Sequence, residues 1–289
     1  MTTEASSVLP PDNHVHTEWS WDAAAGSMDE SCARALELGL PSIAFTEHVD
    51  ATRWVLTAEA QSLMPPERVG THGRFDPPSI DTDGYFACVQ RCRDRYPDLR
   101  ILSGVELGEP HWFEDRSRTL LRSGEFDRVL GSLHSLVLDD GPWLVDHLFW
   151  ASAPEGVVPD EIVRSYLAET LRMIESCDVF EVLAHIDYPV RGWPAAAGRF
   201  HPAAFEDEYR AVLAALARSG RALEVNTRLP MPAEIVGWWY AVGGDAVSFG
   251  SDAHHPSLVG HGFRDAAAMV DAHGFRPGRD PHDFWRRRP

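Results

Sequence analysis

Asp12-Asn13-His14-Val15-His16-Thr17, near the start of the chain, and Ser251-Asp252-Ala253-His254, near its end, decide the reading of the fold. Side chains at i and i+2 of an extended strand leave from one face. His14 with His16, and Asp252 with His254, can therefore each converge on one point. Between these pairs come Thr46-Glu47-His48, Gly104-Val105-Glu106, Gly131-Ser132-Leu133-His134 and Ala184-His185-Ile186-Asp187. Each closes a short run rich in Val, Ile, Leu, Phe or Ala. One polar strand end is common and six are not, so the pattern predicts a metal cluster at the mouth of a barrel.

The segments between these strand ends are helical in spacing. Ser27-Met28-Asp29-Glu30 is an S-x-x-E capping box that opens a helix ending near Gly39. Further helices are predicted over 81–96, 112–121, 161–174, 205–217, 234–242 and 263–272. Strands are predicted over 12–16, 42–46, 100–106, 126–136, 179–184, 221–226 and 246–250. Strict alternation of strand and helix implies a parallel sheet with right-handed crossovers. Seven such units can make an open doubly wound sheet or a closed barrel. Candidate residues on both the first and the last strand favour closure, because a barrel makes those strands neighbours around one mouth. No glycine-rich phosphate loop follows a strand, which weighs against a nucleotide-binding open sheet. The expected fold is thus α/β, a (β/α)7 barrel in a single domain over 1–289. Stretches 50–80 and 139–159 lack periodicity, follow strand ends, and are read as irregular loops over the active face.

A hydrophobic fraction of 44% describes a globular chain, and 289 residues can bury one large core. Lys and Arg number 26 against 44 Asp and Glu, a net charge of −18. That balance disfavours gripping a long nucleic acid. It does not disfavour a small anionic substrate, since bound divalent cations invert the local field. No apolar stretch approaches the roughly 20 residues that span a bilayer. Residues 1–10 have neither a basic n-region nor an apolar h-region, so a cytoplasmic protein is expected. Arg286-Arg287-Arg288 reads as a solvated tail. Cys88 and Cys92 stack on one helical face as core residues, and with Cys32 and Cys177 they imply no disulfide scaffold.

Mixed imidazole and carboxylate ligands without Cys suit Zn, Fe or Mn in an open catalytic site. At this point the sequence resembles the PHP (polymerase and histidinol phosphatase) metallophosphoesterases, in their histidinol-phosphatase-like branch. The resemblance rests on Asp12-x-His14-x-His16-Thr17 with Ser20-x-Asp22, on Thr46-Glu47-His48, Gly104-x-Glu106, Gly131-Ser132-x-His134 and His185-x-Asp187, and on Glu224-x-Asn226-Thr227 and Ser251-Asp252-Ala253-His254-x-Pro256. These run in the family's order over roughly 12–262. The resemblance implies a distorted seven-stranded (β/α)7 TIM-like barrel and three divalent metal ions. One would take His14, His16, Glu106 and Asp252. A second would share Glu106 and add His134 and His185, and a third would take Asp22, His48 and His254. Some relatives have His in place of Asp22, which bears on the affinity of the third ion.

The implied activity is hydrolysis of a small phosphate monoester, with L-histidinol phosphate the leading substrate. A water bridging two divalent ions loses its proton near neutral pH and attacks phosphorus, while the ions neutralise the transition state. Arg191 and Arg228 lie just past strand ends, where a guanidinium fork could grip phosphate oxygens. Asp187 either orients a ligand imidazole or protonates the leaving alkoxide. Glu47 is expected to support ligands rather than be one. His255 should point away, and His261 could reach the rim. His72, His111, His147, His201, His273 and His282 are expected at surfaces or helix ends. Trp19, Trp21, Trp143, Trp150 and Trp193 anchor loops or line a substrate wall. Two other functions fit the same ligands: phosphoesterase activity on a cyclic phosphate, nucleotide or short oligonucleotide, and a non-catalytic metal-binding module.

Overall fold

The structure, a computed structural model, describes residues 9–56, 61–62, 69–70, 73–138, 141–145, 150, 153 and 156–288. Their elements run β1 (Asp12–Val15), α1 (Met28–Leu38), β2 (Ser42–Val49), β3 (Trp54–Val55), β4 (Arg74–Phe75), α2 (Thr82–Arg95) and β5 (Arg100–Gly108). Then come α3 (Glu114–Leu121), β6 (Arg128–Ser132), β7 (Ser135–Leu138), β8 (Gly141–Leu144), α4 (Pro159–Ser176) and β9 (Val182–Leu183). The remainder is α5 (Glu206–Ser219), β10 (Ala222–Asn226), α6 (Ala233–Ala241), β11 (Ala246–Gly250), α7 (Phe263–Ala272), β12 (Phe275–Arg276) and β13 (Trp285–Arg287).

Local chemistry sets the helix ends. The Ser27 side chain accepts from Glu30 N at the start of α1, and Gly39, at φ 70°, closes it in the left-handed conformation. Asp81 caps α2 in the same way, accepting from Gly84 N. Pro159 opens α4, where its missing N–H costs nothing.

Nine strands form one curled sheet in the order β1-β2-β5-β6-β9-β10-β11-β13-β12. From β1 to β11 all neighbours are parallel, with the helices as crossovers. His16 N donates to Ala253 O at 2.8 Å and Asp252 N to His14 O at 2.7 Å, so the first parallel strand meets the segment leaving the last. Asp12 reinforces this seam by accepting from Ser251 N, Ser251 Oγ and Gly260 N. The strand interiors are buried almost throughout, as a parallel sheet covered by helices requires.

Three expectations need correction. The strand expected over 126–136 breaks after Ser132, because the carboxylate of Glu109 takes the N–H groups of His134 and Ser135 at 2.6 and 2.9 Å and draws the chain out of the sheet. Secondly, stretches 50–80 and 139–159 are not wholly irregular. Their described parts supply β3, β4 and β8, which join β7 in a second sheet ordered β4-β3-β8-β7. Trp54 and Phe75 stack there, with centroids 5.7 Å apart and planes 2° apart, and Trp21 packs on both. Thirdly, the arginine run is no tail. Trp285–Arg287 pairs antiparallel with β11 and β12, Trp285 is buried against Phe249, and Arg287 lies over the Tyr240 ring. Among the described residues no helix is long and apolar enough to cross a membrane.

Candidate metal centre

All nine residues that the resemblance implies as ligands converge where the parallel strands end, around the carboxylate of Glu106. Its Oε2 lies 3.3 Å from both His14 Nε2 and His16 Nε2, and Asp252 Oδ1 lies 3.4 Å from His16 Nε2. Its Oε1 lies 2.6 Å from His185 Nε2 and 3.2 Å from His134 Nε2. Asp22 Oδ2 stands 3.0 Å from His254 Nε2 and 3.4 Å from His48 Nε2. The residues expected to share an ion thus lie near one another. Donor sets within reach of one ion also cut across the expected groups, joining His14 with Glu106 and His185, His16 with His48 and His254, and His48 with Asp50 and His134. His48 Nδ1 itself lies 3.0 Å from Glu106 Oε2.

Proton bookkeeping tests whether cations fit. His14 Nδ1 lies 2.6 Å from Glu224 Oε1, so a ring proton sits there and Nε2 is the nitrogen turned to the centre. Ser20 Oγ donates to Glu47 Oε2 and accepts from His48 N, so His16 Nδ1, 3.1 Å away, donates to it. His16 Nε2 is then a lone pair, and it lies only 3.0 Å from His14 Nε2. Two imidazole nitrogens and two carboxylates facing one point repel one another unless a positive charge, a shared proton or a metal ion, sits between them. The surrounding carboxylates outweigh burial to hold His14 well above the usual imidazole range. Glu106 Oε2 and His48 Nδ1 have no aligned hydrogen-bond partner among the described groups. The arrangement fits metal, and several sets of three donors lie within reach of one ion.

The electrostatics agree. Burial pushes Glu106 up, but His14, His48 and His134 outweigh it and hold the carboxyl well below its usual range. Burial likewise opposes the charge on Asp252, and Arg191 and His14 keep it ionised. Burial lowers His16 and His185 to about 4, the neutral state a ligand needs. Burial is outweighed by the neighbouring carboxylates at His14 and His48, both held well above the usual imidazole range, and at His134, pushed up to about 10. Bound cations would replace those positive charges. The backbone is strained at the same place: Asp252 has φ 53° and Glu109 φ 45°, left-handed values that non-glycine residues rarely adopt.

A cleft of about 280 Å³ opens over the centre, and Tyr188, Arg191, Arg228 and Leu229 share its wall with the candidate ligands. Arg191 pairs with Asp252 Oδ2 at 2.6 Å and lies over the Tyr188 ring. Arg228 Nη1 reaches His254 Nδ1 at 2.9 Å and Asp252 O at 3.2 Å. Asp187 is buried, outside the cleft wall, and pushed up to about 6 by burial against the pull of Arg191. Glu47 supports the loop after β1, accepting from Thr17 N, Thr17 Oγ1 and Ser20 Oγ. His255 is exposed and bonds to Ser257, as expected of a residue pointing away. His261 is exposed in a separate cleft and does not join the centre. His111, half-buried just before α3, places Nε2 2.7 Å from Glu169 Oε1. His72 and His147 lie outside the described residues.

Sequence reasoning missed Asp50, Glu109 and the part played by Glu224. Asp50 had a usable signal: His48-Val49-Asp50 repeats the alternation of the other strand ends. Glu109 had none, because its bonds go to backbone groups of a distant turn.

Comparison with known proteins places the chain in a family. Residues 12–228 match the PHP domain, and the chain belongs to that family. The match stops before Asp252 and His254. A probable histidinol-phosphatase of Thermotoga maritima is 37% identical over 271 residues, 91% of this chain and 92% of that protein. Another from Clostridium acetobutylicum is 26% identical over 92% of this chain and 94% of its own length. The crystal structure of histidinol phosphate phosphatase from Lactococcus lactis, complexed with Zn, L-histidinol and phosphate, superposes with a TM-score of 0.74 at 23% identity. It covers 93% of this chain and 95% of that one, a likeness of fold.

Proposed function

We propose that this member of the PHP domain family is a metal-dependent phosphoric monoester hydrolase, with L-histidinol phosphate as its leading substrate. The observation that carries the reading is the Glu106 constellation, which opens on a cleft shared with two arginines. Relatives named histidinol-phosphatase along nine-tenths of the chain support the substrate class. We read the ligand set as three ion positions, filled by Zn, Fe or Mn. The seven parallel strands are read as a distorted barrel, a view supported by the hydrogen bonds that join β1 to the segment after β11.

His14, His16, Glu106 and Asp252 would hold one ion, Glu106, His134 and His185 a second, and Asp22, His48 and His254 a third. Ions bound there supply Lewis-acid activation of water and neutralise phosphate charge. The chain's own groups do the rest. Arg191 and Arg228, on the cleft wall, grip the phosphate oxygens not held by metal, and Arg191 exchanges its partner Asp252 for substrate. Tyr188 and Leu229 offer an aromatic face and an apolar edge to the organic part. Asp187 acts through Arg191, since it is close enough to feel that charge yet stands off the cleft wall.

The test is phosphate release from a broad set of phosphorylated metabolites by protein loaded separately with Mn, Zn and Fe. Fastest turnover of histidinol phosphate is expected. Faster turnover of a cyclic phosphate or nucleotide would replace the substrate and keep the chemistry, whereas no turnover with any ion would end the proposal.

A further inference from the structure

We propose that Asp50 is a positioning residue of this centre and that Gly108 is the notch that admits it, an inference resting on the metal reading above. Asp50 follows the end of β2, two residues beyond His48, and is 2% exposed. Its Oδ1 lies 3.0 Å from His134 Nδ1, while Oδ2 accepts from Trp21 Nε1 at 2.9 Å and lies 3.7 Å from His48 Nδ1. An ionised carboxylate only accepts, so His134 carries a proton on Nδ1. Its Nε2, the nitrogen left for an ion, faces Glu106 Oε1, 3.2 Å away. A carboxylate on the far nitrogen of a ligand imidazole fixes its tautomer and ring plane and raises its basicity.

The space for this carboxylate comes from a glycine. A Cβ on Gly108 would lie 2.1 Å from Asp50 Oδ1 and 3.3 Å from His134 Nδ1. Gly108 is not among the glycines with positive φ, so room rather than backbone conformation demands glycine there. The device occurs twice. Across the centre Glu224 Oε1 holds His14 Nδ1 at 2.6 Å, and a Cβ on Gly250 would lie 2.1 Å from that same oxygen. Two rings, two carboxylates and two glycines on different strands repeat one solution. The Asp50 copy also ties the centre to the second sheet, because Trp21 packs on Trp54 and Phe75.

Two measurements test this on the full chain: titration of ion-free protein with Mn²⁺ or Zn²⁺, and ¹⁵N NMR of the His134 ring. Asp50→Ala and Gly108→Ala should each weaken part of the ion binding by about 10- to 100-fold. The ions held away from His134 should be little affected. Asp50→Asn, whose Oδ1 still accepts, should fall between wild type and Asp50→Ala. The double variant Asp50→Ala/Gly108→Ala should bind only slightly more weakly than Asp50→Ala, because Gly108 acts chiefly through Asp50, its contact with His134 being the looser one. The His134 Nδ1–H signal should show the hydrogen bond to Asp50 in wild type and lose that signature in Asp50→Ala. If Asp50→Ala does not fold, Gly108→Ala and Asp50→Asn make the same comparison. Unchanged affinity, an unchanged Nδ1–H signal or additive losses in the double variant would overturn the proposal. Wild-type protein that binds no ion would overturn the metal reading as well, and the two failures are thereby told apart.

Discussion

The strand-end centre and the second sheet lie side by side, yet they are built on different terms. In the centre each side chain is aimed by the two-residue period of its own strand, and the helices between strands fix which ends are neighbours. In the second sheet, strands of two to four residues pair, β7 with β8 as a hairpin and β3 with β8 from a distant part of the chain, beside the Trp21, Trp54 and Phe75 cluster. Local period governs the first region, and long-range pairing of aromatic surface governs the second. Chemistry is accordingly expected to reside in the centre, and shape in the sheet.

Substitution of Glu106 should separate the two regions most sharply. Glu106→Ala removes the carboxylate shared by two groups of donors, and turnover is expected to fall by about a thousandfold or more, with metal content reduced and the fold retained. Retention of full activity would contradict the assignment. Next in size, Arg191→Met and Arg228→Met should each lower kcat/KM by about 10- to 1000-fold while ion binding persists. Equal metal loss in these variants would mean that the arginines serve the centre rather than the substrate.

Trp54→Ala attacks the other side of the comparison. Opening a cavity under a fully buried Trp should cost about 3–5 kcal/mol by denaturant unfolding. It should change substrate preference more than metal content. A Trp54 variant that keeps its substrate preference but loses its ions would break the division of labour. The smallest effect is expected at the C-terminal strand: Arg287→Ala, which loses a ring contact and a bond to Tyr240 O, should cost about 1 kcal/mol.

The same contrast explains what the sequence disclosed. His14, His16, Asp252 and His254 were legible because alternation on a strand is a one-dimensional signal, and the seven main helices followed from caps and apolar spacing. Asp50 was passed over because the apolar run of β2 ends before it, although its spacing from His48 matched the other pairs. The break at His134 was invisible, since Glu109, 25 residues earlier, causes it through backbone bonds. The second sheet and β13 were unreadable for a related reason. Strands this short have no period to detect, and Arg286 and Arg287 enter one only because Trp285 needs a buried place beside Phe249.

Anomalous diffraction from crystals grown with Mn, Zn or Fe would test the central claim most directly. Peaks are expected in three places: between His14, His16, Glu106 and Asp252; between Glu106, His134 and His185; and between Asp22, His48 and His254. Empty density there at saturating ion, with the imidazole rings turned away from one another, would contradict it.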